Sequence, residues 1–287
     1  ISGISTFNSA ILLTKNKNYL FTDFRYIQRA KDSLKKGISL IDITRMWRNP
    51  KSMQENWQKI LKKHNVKNLG IEEQDLTIAR FKKFKKISGR KLKFLDISGQ
   101  LEAMREIKTK REIELITKSQ RINEKVLLEI KKIVQQYCSS ESQKPLYESD
   151  LAWKIKELGH KYGAEDISFD PIVAFGPHTA IPHHESNKTK LKKGDIILID
   201  MGMKYKGYCS DMTRMIFTAK PTSEQKKIYN LVLSAQLAGI KNIKAGITGK
   251  TSDAFTRDII KKTGYGEKYG HAGGHGIGLD IHEIPSL

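Results

Sequence analysis

Apolar and polar positions alternate over short distances in the first hundred residues. Brief apolar runs bounded by polar or glycine-containing breaks predict strands, and segments with a helical spacing of apolar residues predict helices between them. This alternation predicts an α/β domain over residues 1–102. The predicted strands are residues 10–14, 19–22, 38–43 and 69–71, and the predicted helices are residues 26–34, 56–64 and 81–87.

The pattern changes near Ser98-Gly99, where longer helical periods begin. Apolar residues recur at positions 113, 116, 122, 126, 130 and 133, which predicts one amphipathic helix from Arg111 to Tyr137. Ser149 is the predicted N-cap of a second helix that stops at Gly159. Residues 103–287 therefore predict helices packed on a largely antiparallel sheet, and the whole chain belongs to the α+β class. The later predicted elements are a strand at 169–175, a hairpin at 195–217 and helices at 222–243 and 251–263.

Composition narrows the class of protein. A hydrophobic content of 38% with 29% charged residues is typical of a soluble globular protein. No apolar run approaches the roughly 18 residues of a membrane span, so no membrane association is expected. The two cysteines, Cys138 and Cys209, lie far apart in the sequence, which favours reduced thiols and a cytoplasmic location.

The net charge of +21 raises the possibility of a nucleic-acid partner. The densest basic run, residues 81–94, places Phe81, Phe84 and Ile87 on one helix face with the lysines outside. A solvated lysine face explains that run without a nucleic acid. We therefore favour exposed lysines over a dedicated nucleic-acid site.

Two aspartates mark the arms of the predicted hairpin. Asp200 follows the apolar run 196–199, which predicts a strand buried on both faces, so its carboxylate needs a cation, a proton or a hydrogen-bonding partner. A turn centred on Tyr205 and Lys206 would place Asp200 directly opposite Asp211, about 4.5–5.5 Å away. Like charges at that distance repel unless a cation lies between them, so the pair predicts a metal site. The alternative is a solvated acidic pair, against which the preceding apolar run argues.

Three histidines, His271, His275 and His282, lie within twelve residues in a glycine-rich segment. A dinucleotide-binding loop would open a helix after a strand, whereas these glycines lead into alternating apolar residues at 277–281 that predict a strand. A regular strand would place His275 and His282 on opposite faces unless a bulge or bend intervenes. Carboxylate and imidazole ligands together suit Mn, Co, Fe or Zn.

Together these segments resemble the pita-bread metallopeptidases, in particular the Xaa-Pro peptidases aminopeptidase P and prolidase. The first part of the chain resembles the creatinase-type N-terminal domain of that family. The matching segments cover nearly the whole chain, and their order makes the resemblance specific. They are Leu20-Phe-Thr-Asp23-Phe-Arg25-Tyr26, the stretch 104–114, Ser168-Phe-Asp-Pro-Ile-Val-Ala-Phe-Gly176, Ala180-Ile-Pro-His183-His184, Gly194-Asp-Ile-Ile-Leu-Ile-Asp200-Met-Gly202, Ser210-Asp211-Met-Thr-Arg214 and His271 to Glu283.

The resemblance implies a creatinase-type domain at 1–102 and a pita-bread catalytic domain at 103–287. It also implies hydrolysis of the peptide bond before proline, with water activated by two divalent metal ions. Manganese is the favoured metal, with cobalt or zinc as alternatives. Proline-containing peptides are the implied substrates and a homodimer the implied assembly. The implied metal ligands are Asp200, Asp211 and His275, and the residues implied to contact substrate and the tetrahedral intermediate are His183, His271 and His282.

Family members of this type use two further glutamates, and no matching segment lies before Leu287. Glu283 belongs to the His-Glu phrase and does not fill that role. We therefore expect both domains to be incomplete, and residues 1–287 alone to bind metal poorly and to be inactive. The alternative to an enzyme is a non-catalytic pita-bread module that binds protein or nucleic acid. Methionine aminopeptidase and creatinase are nearer alternatives, and the sequence does not separate aminopeptidase P from prolidase.

Overall fold

The computed structural model describes residues 9–44, 49–140 and 144–287. The chain forms two compact units, residues 1–100 and residues 101–287, and the sequence places the boundary at residue 102. Within the described ranges, no helix has the length and apolar character needed to cross a bilayer. Cys138 and Cys209 are both free thiols, as the sequence predicted.

The first unit contains two small sheets connected by helices. Strand β1 (Ala10–Leu12) pairs antiparallel with β2 (Asn18–Thr22), which runs parallel to β3 (Ile38–Asp42). Strands β4 (Asn68–Ile71) and β5 (Lys93–Asp96) form a parallel pair. The helices are α1 (Phe24–Ser33), α2 (Pro50–Lys63) and α3 (Ile78–Ser88). The predicted alternation of strands and helices is confirmed, and the buried core consists of Leu12, Tyr19, Trp57, Leu61, Leu69 and Ile71.

One helix in this unit begins earlier than predicted. The sequence prediction starts it at Asn56, whereas α2 begins at Pro50. Asn49 caps it by accepting a hydrogen bond from the amide of Ser52 at 3.2 Å. Proline fits the first helical position because an N–H there would have no partner within the helix. The apolar spacing alone missed this polar first turn.

The second part of the chain combines long helices with short strands. The described helices here are α4 (Gln100–Glu106), α5 (Lys110–Ser139), α6 (Glu148–Lys161), α7 (Ser223–Asn242) and α8 (Gly249–Lys262). The strands are β6 (Asp166–Ile167), β7 (Ile172–Phe175), β8 (Ile196–Met201), β9 (Met203–Tyr205), β10 (Tyr208–Cys209), β11 (Met212–Phe217), β12 (His275–Gly276) and β13 (Glu283–Ser286). They pair antiparallel in the orders β11-β8-β7, β10-β9-β6 and β12-β13.

The core of this unit lies between α5, α6 and one face of the β8 sheet. Val126 and Ile130 of α5 are fully buried there, as are Ile197 and Ile199 of β8. The predicted amphipathic helix is confirmed. The prediction that β8 is buried on both faces is wrong, because its residues alternate between buried and partly exposed. Asp200 therefore lies on the partly exposed face.

The predicted cap of α6 is also wrong. The helix begins at Glu148 with Tyr147 in the cap position, and no side chain caps it. Instead, the amide of Glu148 donates to the carbonyl of Thr189, and the amide of Ser149 donates to the carbonyl of Asn187. A neighbouring extended segment thus satisfies the N–H groups that a side-chain cap would otherwise satisfy.

The start of α5 offers a test of local helix stability. Thr109 and Glu112 form a capping box, in which each side chain binds the other's backbone amide. Thr109→Ala should therefore lower the free energy of unfolding by about 1 kcal/mol in urea denaturation. Thr117→Ala in the same helix is the matched control, because Thr117 is exposed and its hydroxyl donates only to the carbonyl of Ile113. Equal losses in both variants would contradict a capping role.

Candidate metal and catalytic site

The hairpin that carries the two aspartates is present, but its predicted register is wrong. Thr213 lies opposite Asp200, and its hydroxyl donates to the Asp200 carboxylate at 2.8 Å. The turn falls at Lys206-Gly207, which both have positive φ angles, instead of Tyr205-Lys206. A shift of two residues keeps each side chain on its face, so Asp211 remains a diagonal neighbour of Asp200.

A buried polar cluster fixes the backbone just before Asp211. The hydroxyl of Ser210 accepts from the Asn123 side-chain amide at 2.9 Å and from the Met203 backbone amide at 3.2 Å. Ser119 donates to the carbonyl of Met203 at 2.5 Å and lies 3.0 Å from the Ser210 hydroxyl. Ser119, Asn123 and Ser210 are all buried, so α5 holds this turn through hydrogen bonds within the core. This cluster was not predicted from the sequence, although two polar residues on an otherwise apolar face of α5 could have signalled it.

A close approach of the backbone requires the glycine between β8 and β9. A Cβ atom at Gly202 would collide with the carbonyl oxygen of Ser210 and with the Phe169 ring. Glycine therefore lets the two arms of the hairpin come together immediately beside both aspartates.

Asp211 and His275 form the centre of the candidate site. Asp211 Oδ2 lies 3.3 Å from His275 Nε2, and each side chain is 28% exposed. Burial raises the pKa of Asp211 and the negative charge of Asp200 raises it further, whereas His275 and His282 lower it. The carboxyl is thus held where its own charge is unfavourable unless a cation compensates it.

The orientation of the His275 ring suits a cation ligand. Its Nδ1 lies 2.9 Å from the carbonyl oxygen of Gly276, which can only accept a hydrogen bond. A proton on Nδ1 leaves Nε2 with a lone pair directed toward Asp211 in the neutral ring. Carboxylates and imidazole are ligand types that suit a divalent cation of the Mn, Co or Zn type. Among the described residues, however, Asp200, Asp211 and His275 do not bring three ligand atoms within 4.8 Å of one another.

His282 joins this group through a bend in the chain. The predicted strand over 275–282 is wrong, because β12 contains only His275 and Gly276 and a bent segment follows it. The bend allows the His282 ring to contact the His275 ring edge to face, with centroids 4.5 Å apart. The bend that the sequence left open as an alternative to a regular strand is therefore what the structure shows.

His271 lies on an exposed loop that α8 anchors. The guanidinium of Arg257 donates to the carbonyl of Tyr269 at 2.9 Å and to the carbonyl of His271 at 2.7 Å. Asp253 binds the same guanidinium and so orients it. The His271 ring itself contacts Tyr269 and the carbonyl of Ala272, and no hydrogen bond to Asp200 or Asp211 is described.

His183 is the one predicted site residue that stays outside the described contacts. Its side chain is exposed after a 3₁₀ turn at Gly176–Ala180. Among the described residues, neither a hydrogen bond nor a ring contact joins it to the aspartates or to the other predicted histidines. Its neighbour His184, in contrast, is buried and belongs to a second cluster.

The second cluster consists of Glu148, His178 and His184, and sequence reasoning missed it. Their ligand atoms lie within 4.8 Å of one another, so the group could hold a metal ion. The Glu148 carboxylate, however, already accepts four hydrogen bonds. Its oxygens lie 2.8 Å from His178 Nδ1, His184 Nε2 and the Phe175 amide, and 3.3 Å from the Asn187 amide. These four donors satisfy the buried carboxylate without a metal.

The environment of Glu148 keeps it ionised although the side chain is fully buried. Burial raises its pKa, but the hydrogen bonds from His184, Phe175, His178 and Asn187 together lower it below its ordinary value. The carboxylate thus ties the start of α6 to both ends of the loop that carries His183. No local sequence pattern signals this, because the donors come from residues 27 to 39 positions away.

A cavity of about 480 Å³ opens beside the histidines. Its wall includes His275 and His282 on one side and Glu102 and Arg105 of α4 on the other. Neither Asp200 nor Asp211 is part of the lining. The cavity gives a polar ligand access to two of the predicted site histidines.

Comparison with known proteins places this arrangement in context. Residues 114–287 match Metallopeptidase family M24, and residues 1–107 match the Creatinase/Prolidase N-terminal domain. Over 224 residues the chain is 38% identical to the Xaa-Pro dipeptidase of Pyrococcus furiosus. The matched region covers 78% of this chain and 61% of that relative. The chain therefore spans about three-fifths of the length of that relative.

Two solved structures share the fold over 99% of this chain. The X-Pro aminopeptidase of Thermotoga maritima superposes with a TM-score of 0.85 at 33% identity, with 76% of its own chain covered. The Xaa-Pro dipeptidase of Bacillus anthracis superposes with a TM-score of 0.87 at 34% identity, with 75% covered. Both domains predicted by resemblance, the creatinase-type and the pita-bread type, are therefore confirmed as folds.

Proposed function

The chain belongs to metallopeptidase family M24, and from this premise we propose that the protein hydrolyses the peptide bond before proline with the help of two divalent metal ions. The observation that carries the proposal is the convergence of Asp211, His275 and His282, with Asp200 on the same face of the hairpin. Relatives named as Xaa-Pro dipeptidases and an X-Pro aminopeptidase support the substrate class.

In this proposal Asp200, Asp211 and His275 would hold the metal. Manganese is the favoured metal, with cobalt or zinc as alternatives. When bound, the ions supply Lewis-acid activation of water and of the substrate carbonyl. The protein's part is to fix their ligands: Thr213 orients Asp200, Ser210 holds the turn at Asp211, and the carbonyl of Gly276 sets the tautomer of His275.

The other histidines act on the substrate in this proposal. His282 would donate a hydrogen bond to the oxyanion that develops at the carbonyl. Its ring contact with His275 and its place in the cavity lining support this role. His271 and His183 are exposed and belong to loops anchored by Arg257 and Glu148, respectively. We assign them to substrate contact, consistent with their access to solvent.

Three predictions accompany this function as proposals. The protein acts as a homodimer, its location is cytoplasmic, and manganese is the metal that supports its activity. Dipeptides and longer peptides both remain candidate substrates, since relatives of both kinds share the fold.

The test is a peptidase assay of the purified protein. After treatment with EDTA, the protein is supplied with Mn, Co or Zn and given matched Ala-Pro and Ala-Ala dipeptides and tripeptides. We expect cleavage only of the proline peptides and only with metal. Failure to cleave any proline peptide with any of the three metals would refute the proposal, and binding of RNA in its place, weakened by salt, would favour the non-catalytic alternative.

A further inference from the structure

A buried acidic side chain follows directly after His282. The side chain of Glu283 is only 6% exposed, although it begins β13 in the histidine segment. A carboxylate buried to this extent needs partners, since its desolvation costs several kcal/mol. Burial raises the pKa of Glu283, but Lys108, the amide of Asp280 and Arg105 together lower it below its ordinary value.

The partners come from the segment that leads into the second unit. The guanidinium of Arg105, in α4, pairs with Glu283 and lies 2.6 Å from the Asp280 carboxylate. Lys108 Nζ lies 2.9 Å from the other Glu283 oxygen, and the Lys108 side chain is only 14% exposed. Two cations therefore hold a segment more than 170 residues further along the chain.

Hydrogen bonds and close packing within the segment around Glu283 also fix its shape. The Asp280 amide donates to Glu283, which closes the bend between β12 and β13. A Cβ atom at Gly278 would collide with the Glu283 carboxylate, so the loop wraps closely around this group. The carbonyl of Gly278 in turn accepts from the amide of Cys209 at 2.7 Å, two residues before Asp211. The backbone on both sides of His282 is thus fixed relative to the aspartate hairpin.

We infer that Arg105 and Lys108 are positioning residues that fix His282 against His275 by binding Glu283. The inference rests on the proposed function, in which His282 stabilises the developing oxyanion. Without these two cations, the bend would no longer hold the His282 ring in one position. A displacement of about 1 Å can lower the rate of catalysis about 100-fold.

The main test uses the metal-loaded protein with Arg105→Ala, Arg105→Lys and Glu283→Gln. We expect Arg105→Ala and Glu283→Gln to lower kcat for an Xaa-Pro peptide about 10- to 100-fold with KM changed less than about threefold. Arg105→Lys should recover part of that loss, because it retains a cation. Arg111→Ala is the matched control, since Arg111 is an exposed arginine that pairs with Glu114 on the surface of α5, and it should retain full activity.

Two comparisons separate positioning from other roles. The double variant Arg105→Ala/Glu283→Gln should lose no more activity than the worse single variant, because both changes remove the same interaction. Additive losses would overturn the inference. The same variants are assayed on matched peptides whose C-terminus is a free carboxyl group or an amide. A loss seen only as a higher KM for the peptides with a free carboxyl group would make Arg105 a substrate-binding residue and would also overturn the inference.

Hydrogen exchange tests the inference without catalysis. In metal-free protein, amides of residues 280–286 should exchange at least about tenfold faster in Arg105→Ala than in the unsubstituted protein or in Arg111→Ala. Unchanged exchange would overturn the inference. If the unsubstituted protein cleaves no Xaa-Pro peptide but this acceleration is seen, the proposed function fails while the positioning of the His282 segment stands.

Discussion

Asp211→Asn should lower kcat/KM for an Xaa-Pro peptide at least about 10³-fold, and yet should not lower the stability of the metal-free protein. The amide has the same shape but cannot bind metal as a carboxylate does. Because burial and the charge of Asp200 raise the pKa of Asp211, the ionised carboxylate is less favourable in the folded chain than in the unfolded chain, and a neutral side chain removes that cost. Steady-state kinetics with manganese and urea denaturation in EDTA measure the two effects.

Asp170→Asn provides the matched control for this change. Asp170 is 87% exposed and pairs with Lys156 on the surface, so its replacement should alter neither activity nor stability appreciably. If Asp211→Asn kept more than a tenth of the activity, the assignment of Asp211 to the metal would be wrong. If it instead destabilised the metal-free protein by more than about 2 kcal/mol, the carboxylate would serve the fold and not the metal.

The parts of the fold that could be predicted from the sequence are those determined by residues close together along the chain. The apolar spacing of α5 depends on one helix and one core, and the predicted helix lies within the observed one. The capping box at the start of α7 is equally local, because the spacing of Thr222 and Gln225 alone predicts it, and both of its hydrogen bonds are formed. Such signals involve residues only three or four positions apart.

The errors arose where a distant segment or a turn decides the outcome. The hairpin register depends on which two residues form the turn with positive φ angles. These residues are Lys206 and Gly207, and not Tyr205 and Lys206 as predicted. In place of the cap predicted at Ser149, carbonyls of an extended segment about 40 residues away accept the first amides of the helix. The apolar run 196–199 predicts a strand that is buried on both faces, but the helices cover only one face of that sheet.

The candidate site shows the same division. Asp200, Asp211 and His275 could be singled out because carboxylates and imidazoles beside apolar and glycine-rich segments are unusual in themselves. Arg105 and Glu148 carry no such local signal, since one lies in a charged stretch and the other begins an ordinary helix. Their importance follows from contacts with residues 27 to 178 positions away, which only the folded chain reveals.

Glu148→Ala should produce the largest loss of stability, about 3–5 kcal/mol in the free energy of unfolding of the second unit. The substitution leaves His178, His184 and the amides of Phe175 and Asn187 without their common acceptor, and Phe175 and His184 are buried. Urea denaturation at pH 7 measures the loss. Glu129→Ala is the matched control, because Glu129 pairs with Lys132 on the exposed side of α5, and it should cost less than about 0.5 kcal/mol.

The contribution of Glu148 should depend on pH in a defined direction. Its folded-state pKa lies below the value of 4.5 expected in the unfolded chain. A lowered carboxyl pKa stabilises the folded state above the unfolded value, and this stabilisation is lost as the pH falls from 4.5 through the folded pKa. The difference in stability between the unsubstituted protein and Glu148→Ala should therefore shrink in acid. A difference that stayed constant down to pH 3 would contradict this origin.

Metal removal decides whether hydrogen bonds or an ion hold the Glu148 cluster. Because the carboxylate already accepts four hydrogen bonds, we expect EDTA to leave the stability loss of Glu148→Ala unchanged. A metal bound there would stabilise the folded state by mass action, so its removal would destabilise the unsubstituted protein and leave the variant unaffected. His184→Gln, tested beside Glu148→Ala, sharpens the comparison, because glutamine still offers an N–H to the carboxylate but is a poor metal ligand. A hydrogen-bonded cluster should tolerate this change far better than the loss of Glu148, whereas a metal site should not.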